Sequence, residues 1–151
     1  MIFFLFIHFR MSRTDHSIKV NAQKSIKKGE EITIHYLSFI YGNIKRKKAM
    51  RNNWFFDCTC TRCQDPTELG SYLSATKCSE CENGYMLPID PMNLSSDWHC
   101  SICKHKISVE SINETISQCF TIIYNSEKTV EQCEKILPQL LQKLHPNHNM
   151  G

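Results

Sequence analysis

The chain has 151 residues, of which 41% are hydrophobic and 22% charged, with a formal net charge of +3. That composition excludes a disordered polymer and leaves room for one ordinary domain or two or three small ones around a modest core. A charge this small does not by itself mark a nucleic-acid binder; the nine cysteines are the unusual feature.

The opening nine residues, MIFFLFIHF, are strongly apolar. The run is shorter than the ~20 residues a membrane helix requires, and no basic stretch precedes it as in a signal peptide. It is expected to be a buried strand, or an accident of where the sequence begins. With no export signal, the thiols are expected to stay reduced, which places the protein inside the cell, in nucleus or cytoplasm.

Apolar and polar residues alternate from Ile18 to Ala22 and again at Ile32, Ile34 and Tyr36, the period of half-buried strands. Ser25 to Glu31 then reads as their connection, with Gly29 as the turn residue. No proline or glycine interrupts Ile44 to Asn52, so a helix is predicted there. It carries Lys45, Arg46, Lys47, Lys48 and Arg51, a basic run that suits either one solvated helix face or a phosphate-binding surface. The aromatic residues are not interleaved with these charges as a base-stacking platform would need, and a nucleic-acid partner is not expected.

The middle of the chain is poor in aliphatic residues and holds Pro66, Gly70, Gly84, Pro88 and Pro91, so it needs a source of stability other than a core. Cys78-x2-Cys81 and Cys100-x2-Cys103, eighteen residues apart, supply one. Two tight turns can each present two thiolates to one tetrahedral zinc. His99 and His105 are weaker candidates for the same role. Cys58-x-Cys60-x2-Cys63 offers three thiolates, and a closed site there requires a fourth ligand from elsewhere, a histidine or an upstream cysteine.

Beyond Ser108 the period becomes helical. Ile112, Ile116, Cys119, Phe120, Ile123 and Tyr124 share one face, with Ser111 and Glu114 as a capping box. A second helix follows, with Thr129 and Gln132 as its cap and Val130, Cys133, Ile136, Leu137, Leu140, Leu141 and Leu144 as its stripe. Pro138 should kink or shorten it. Cys119 and Cys133 fall on these stripes, where cysteine behaves as a small apolar residue. Two such helices cannot bury both stripes against each other, so further helices or a partner are expected.

The string Ile26-Lys-Lys-Gly29-Glu30-Glu31-Ile32-x3-Tyr36, followed by Phe56-x-Cys58-x-Cys60-x2-Cys63, resembles the end of a SET domain and its post-SET zinc site. Trp98, Cys100 and Cys103 match the second cysteine cluster of the arthropod SmydA branch of SMYD-type SET-domain protein-lysine methyltransferases. Leu144-His145-Pro146-Asn147-His148 resembles that family's entry into its helical C-terminal repeats. The resemblance covers about residues 16 to 148.

The resemblance implies a mixed α+β, zinc-stabilised fold: the end of a SET domain over 1–40, a basic helix and post-SET site over 41–65, a zinc-ribbon-like four-cysteine cluster over 66–107, and the start of a helical, TPR-like region over 108–151. It implies Tyr36 as the catalytic tyrosine lining the lysine channel and Phe56 as a packing partner of the adenine of S-adenosylmethionine. Cys58, Cys60 and Cys63 would hold one zinc and Cys78, Cys81, Cys100 and Cys103 a second. The substrate would be a lysine-bearing protein, histone or non-histone, with no membrane involved. On sequence alone Tyr36 is an aromatic residue at a strand end and Phe56 a shield beside a metal cluster. The family's Asn-His-Ser-Cys motif, which supplies part of the cofactor site and the fourth zinc cysteine, is not found, and Asp15-His16-Ser17 does not replace it. The MYND zinc module is likewise not found. The expectation is a truncated form of the family, inactive alone, with a non-catalytic zinc-held interaction module as the alternative.

Overall fold

A computed structural model describes residues 7–22, 25–30, 32 and 36–149. The architecture is mixed α+β. Strands β1 (Ile7–Met11) and β2 (Ile18–Ala22) form an antiparallel hairpin, with Ile7 opposite Ala22 and Met11 opposite Ile18. The end of the apolar opening run is therefore a strand; residues 1–6 lie outside the described residues. Asp15-His16-Ser17 has a structural task here. The Asp15 carboxylate accepts from the Ser17 N–H (3.0 Å) and hydroxyl (2.9 Å), while His16 takes the left-handed φ of 55° that turns the chain. Hydrogen bonds from Ser12 and Ser17 hold Asp15 down at about 2.

The alternation in β2 is real, but its apolar face is not half-buried. Ile18 and Val20 remain exposed, because no second layer covers them among the described residues. Gly29 is a turn residue as expected, with φ 84° and a bond from the Glu30 N–H to the Lys27 carbonyl. The strand expected through Ile34 falls on residues 33–35, outside the described residues; Ile32 and Tyr36 on either side are exposed and not in a strand.

Helix α1 (Asn43–Trp54) covers the predicted helical stretch. Its inward face is unusual: Asn43, Arg46, Lys47 and Met50, spaced i, i+3, i+4 and i+7, are all buried. The basic run is thus neither one solvated face nor a free phosphate-binding stripe. The Lys47 ammonium donates to the Pro91 carbonyl and contacts the Met92 sulfur at 3.2 Å, and Arg51 grips the exposed Asp57 carboxylate through Nε and Nη2. Gly42 precedes α1 where a side chain would collide with Ser74 and Leu73, so only glycine allows that close approach.

A short helix α2 (Thr61–Gln64) follows, and then a four-stranded antiparallel sheet in the order β3 (Thr76–Lys77), β4 (Tyr85–Pro88), β5 (Trp98–Cys100), β6 (Lys106–Ile107). Met86, Trp98 and Cys100 from this sheet, with Cys78, meet Val109 and Ile112 from the next helix to form the core, flanked by Ile44 of α1 and Ile116.

Helix α3 (Val109–Asn125) starts earlier than predicted. Ser108 is its N-cap, accepting from the Ser111 N–H, so Ser111 lies in the first turn rather than at the cap. Helix α4 (Val130–Leu141) is capped as predicted, Thr129 accepting from the Gln132 N–H, and it ends soon after its internal Pro138. Cys119 is fully buried, as an apolar residue would be, whereas Cys133 is exposed and no residue of α4 is buried. Leu144 is not on the α4 stripe. It bridges Thr76 and is buried, and the chain from Lys143 to Asn149 runs along the sheet edge: the Lys143 carbonyl accepts from the Lys77 N–H, and the His145 and Asn149 N–H groups donate to the Ala75 and Leu73 carbonyls. His145 there stacks on Tyr72 (4.9 Å) and meets Tyr85 edge-on (4.5 Å). Among the described residues no helix is long and apolar enough to cross a membrane.

Candidate metal centres

Two groups of cysteines converge. The sulfur atoms of Cys78, Cys81, Cys100 and Cys103 all lie within 4.8 Å of one another, and so do those of Cys58, Cys60 and Cys63. The structure therefore gathers all seven cysteines singled out in the sequence; His99 and His105 belong to neither group.

In the four-cysteine group, Cys78 and Cys81 belong to the turn between β3 and β4, while Cys100 ends β5 and Cys103 lies in the turn from β5 to β6. The sulfur of Cys78 is 3.7 Å from that of Cys103, and Cys81 is 3.5 Å from Cys100. A disulfide would need ~2 Å. A tetrahedron with metal–sulfur bonds of ~2.3 Å has edges of ~3.8 Å, which these distances match. Each turn folds an N–H back onto its first cysteine: Glu80 onto Cys78 at 3.3 Å and Ile102 onto Cys100 at 3.4 Å. Such bonds orient thiolates and offset their charge. Burial pushes Cys78 up to about 12 and Cys81 upward; in Cys100 burial is outweighed by N–H groups of Ile102 and Cys103, leaving it at about 6. Four crowded thiols resist ionising together, and a divalent cation at their centre is the charge that allows it. The donor set and its spacing fit zinc.

Gly84 is a residue the sequence reading missed. A side chain there would overlap Cys100 and come within 2.6 Å of the Cys81 sulfur, so the ring of thiols closes only around a glycine. Its signal was present as a glycine three positions after the second cysteine of Cys78-x2-Cys81.

The three-cysteine group sits at the start of α2. Cys60 is the N-cap of α2 and buried, Cys63 lies within it and is fully buried, and Cys58 is half-buried. Hydrogen bonds from Cys58 and Cys63 pull Cys60 far down, with the Arg46 charge adding to the effect; the same contacts and burial push Cys63 far up. No fourth cysteine, histidine or carboxylate joins the group among the described residues. Its support comes from α1, a helix the sequence predicts but whose role beside these cysteines it does not reveal. The Asn43 amide donates to the Arg62 and Cys63 carbonyls (3.3 and 3.2 Å), and Arg46 and Lys47 bury positive charge behind the sulfurs. Arg62, between the cysteines, holds the Phe39 and Tyr41 carbonyls (2.7 Å each) and the buried Glu68 carboxylate (3.1 Å).

Tyr36 and Phe56 come together beside this group. Their rings meet edge-on with centroids 5.2 Å apart, and Trp54 closes on Tyr36 at 5.6 Å. Tyr36 stays 45% exposed.

No protein-family model matches the chain, and no solved structure does. Among curated proteins, isoform B of the SET domain-containing protein SmydA-8 of Drosophila melanogaster is 34% identical over 125 residues, covering 74% of this chain and 27% of the relative. The histone-lysine N-methyltransferase SMYD1 of Homo sapiens is 37% identical over 54 residues, 36% of this chain and 11% of that protein. The histone-lysine N-methyltransferase SET5 of Saccharomyces cerevisiae is 44% identical over 48 residues, 32% of this chain and 9% of that protein. The chain spans about a quarter of the length of the SmydA-8 isoforms it matches. With two convergent cysteine groups in the order of the post-SET and SmydA motifs, this similarity makes the chain a SMYD-like SET-domain protein.

Proposed function

We propose that the chain is the post-SET and zinc-ribbon portion of a protein-lysine N-methyltransferase that uses S-adenosylmethionine. The observation that carries this reading is the contact of Tyr36 and Phe56 next to the Cys58/Cys60/Cys63 group. The reaction passes a methyl group from a sulfonium to a neutral lysine amine, so the protein's task is to align the two and exclude water. Tyr36 lines the lysine channel with its hydroxyl, and Phe56 packs against the adenine. Cys58, Cys60 and Cys63 hold a post-SET zinc that fixes Phe56 relative to Tyr36, and the other four cysteines hold a second zinc. The substrate is a lysine-bearing protein, histone or non-histone, met in nucleus or cytoplasm. The units are 1–40, 41–65, 66–107 and 108–151. Because the Asn-His-Ser-Cys motif is not in the sequence, the chain by itself is inactive.

The test is zinc per molecule by elemental analysis, together with S-adenosylmethionine titrated by calorimetry. About two zincs without cofactor binding fits the proposal; one zinc would leave the post-SET site unfilled, and saturable cofactor binding would mean the missing motif is replaced within this chain. In a full-length relative, changing the tyrosine equivalent to Tyr36 to phenylalanine should lower methyl transfer with zinc content unchanged. A second reading, a zinc-held protein-interaction module without catalysis, is favoured by α4, which has no buried residue and leaves Val130 and Leu137 exposed.

A further inference from the structure

The segment from Lys143 to Asn149 lies across the edge of β3 as a strap. Three backbone bonds fasten it: the Lys77 N–H to the Lys143 carbonyl at 2.8 Å, the His145 N–H to the Ala75 carbonyl at 3.1 Å, and the Asn149 N–H to the Leu73 carbonyl at 3.0 Å. Leu144 is its one buried side chain, and it lies outside the core cluster around Trp98. The helix that leads into the strap, α4, has no buried residue. The strap can therefore lift, with α4 following, while the Trp98 core stays closed.

Two histidines clip it down. His145 lies between Tyr72 and Tyr85, and its Nδ1 accepts from the Asn147 N–H at 3.0 Å, a bond only the neutral ring can accept. His148 forms part of the wall of a cavity of about 430 Å³ between α1, α3 and the strap, and both its ring nitrogens are buried with no hydrogen-bond partner among the described residues. Toward that cavity α1 presents Lys45 and Lys48, α3 presents Asn113, Ile116 and Phe120, and the loops add Gly42, Leu73 and Ser74. No acidic residue lines it. The charge nearest His145 is Lys77 of β3. A proton on either ring would thus be buried among positive groups with no carboxylate to answer it. Burial, with His145 nearby, holds His148 down at about 4, and burial with Lys77 lowers His145.

We propose that Lys143 to Asn149 is a proton-gated strap, shut while the His145 and His148 rings are neutral and lifted when they take up protons, which bares the backbone edge of β3 and one wall of the cavity. Lifting hands both rings to water, where an imidazole titrates near ~6.5. The lifted form then binds more protons than the shut form. The shut form therefore holds at and above neutral pH, and its hold weakens as the pH falls from about 6.5 towards 4. Between about pH 7.5 and about pH 5.5 the release of His148 alone raises the opening constant about tenfold. The bared edge offers unpaired N–H and C=O groups at Ala75 to Lys77, a surface on which another strand can pair.

The test is amide hydrogen exchange of the zinc-loaded chain, read by nuclear magnetic resonance across that pH range and expressed as protection factors, so that the intrinsic pH dependence of exchange divides out. The Lys77, His145 and Asn149 amides report the strap, and the amides of β4 and β5, the near-ultraviolet signal of Trp98 and the zinc content report the sheet. About tenfold loss of protection at the three strap amides is expected, with the sheet reporters unchanged. His148→Gln, which cannot take up a proton, should remove most of that pH dependence. Strap protection that does not change with pH, or a His148→Gln chain with the same dependence as the parent, would overturn the gate. So would loss of strap and sheet protection together with zinc, because acid would then be acting on the thiols. If His148→Gln does not fold, the parent chain still decides: a His148 ring titrating near ~6.5 while the strap amides stay protected would mean that its protonation does not lift the strap.

Discussion

The two cysteine groups use the same ligand atom but are built on different principles. The group at Cys78, Cys81, Cys100 and Cys103 is assembled by a sheet: two antiparallel hairpin-like turns deliver two sulfurs each, backbone N–H groups orient them, and Gly84 leaves the space they occupy. The group at Cys58, Cys60 and Cys63 is assembled by a single turn of chain entering α2, with three sulfurs, and leans on buried cations and an amide from α1. The first is closed by its own connectivity, and the β3–β6 sheet depends on it because its strands are two to four residues long and bury few aliphatic side chains. The second offers only three sulfurs, and a closed four-ligand site there would need a ligand from outside the stretch that carries it.

The comparison is sharpest under metal removal. Structural zinc contributes about 10 kcal/mol or more in small domains, so losing it from the four-cysteine group should unfold the sheet. Gly84→Ala is the site-selective version. Its side chain would displace Cys100 and Cys81, and we expect the zinc count to fall by one and the near-ultraviolet circular dichroism of the buried Trp98 to collapse. A Gly84→Ala chain that keeps its full zinc content and its Trp98 signal would contradict the cradle.

Cys63→Ser should remove one zinc as well, with a smaller structural result. The sheet and its packing on α3 do not pass through α2, so the Trp98 signal should persist while the Tyr36–Phe56 contact loosens. Comparable loss of the Trp98 signal in both variants would show that the two groups stand or fall together.

Much of this contrast could be read from spacing. Both cysteine groups, the α1 and α3–α4 helices, the β2 strand and the Gly29 turn follow from period and motif, because tight turns and helical stripes are local properties. What could not be read was nonlocal. The basic run of α1 looked solvated because charges usually are; Arg46 and Lys47 are buried because the thiol groups and the Pro91 carbonyl lie beneath them, a juxtaposition created by residues far along the chain. The capping pattern points to Ser111, yet the cap is Ser108, because both serines fit such a pattern and only Val109, packed into the core, decides between them. Leu144 fits the α4 stripe by period, yet Pro138 and the sheet edge take it elsewhere.

Lys47 links the two halves of the comparison, since it leaves α1 behind the three-cysteine group and reaches the loop that follows β4. Lys47→Met keeps the stem's volume but leaves the Pro91 carbonyl without its donor. The expected cost is about 1–3 kcal/mol in chemical denaturation, with zinc content retained at the four-cysteine group. An unchanged denaturation midpoint would mean that this contact does not couple the halves.

The smallest effects separate the two C-terminal helices, and with them what belongs to the sheet from what does not. Ser108 and Thr129 are equivalent caps, each accepting an N–H three residues on. The helix that Ser108 starts puts Val109 and Ile112 into the core against Trp98, whereas the one that Thr129 starts has no buried residue and only partly covers Ile136, Leu140 and Leu141. Removing a cap oxygen costs about 1 kcal/mol in either helix. In Ser108→Ala that cost should appear in the global transition, because α3 cannot loosen without exposing the core. In Thr129→Ala it should appear only as reduced helical signal before the transition, because α4 can fray alone. Equal shifts of the global midpoint in both variants would place α4 inside the same cooperative unit as the four-cysteine sheet.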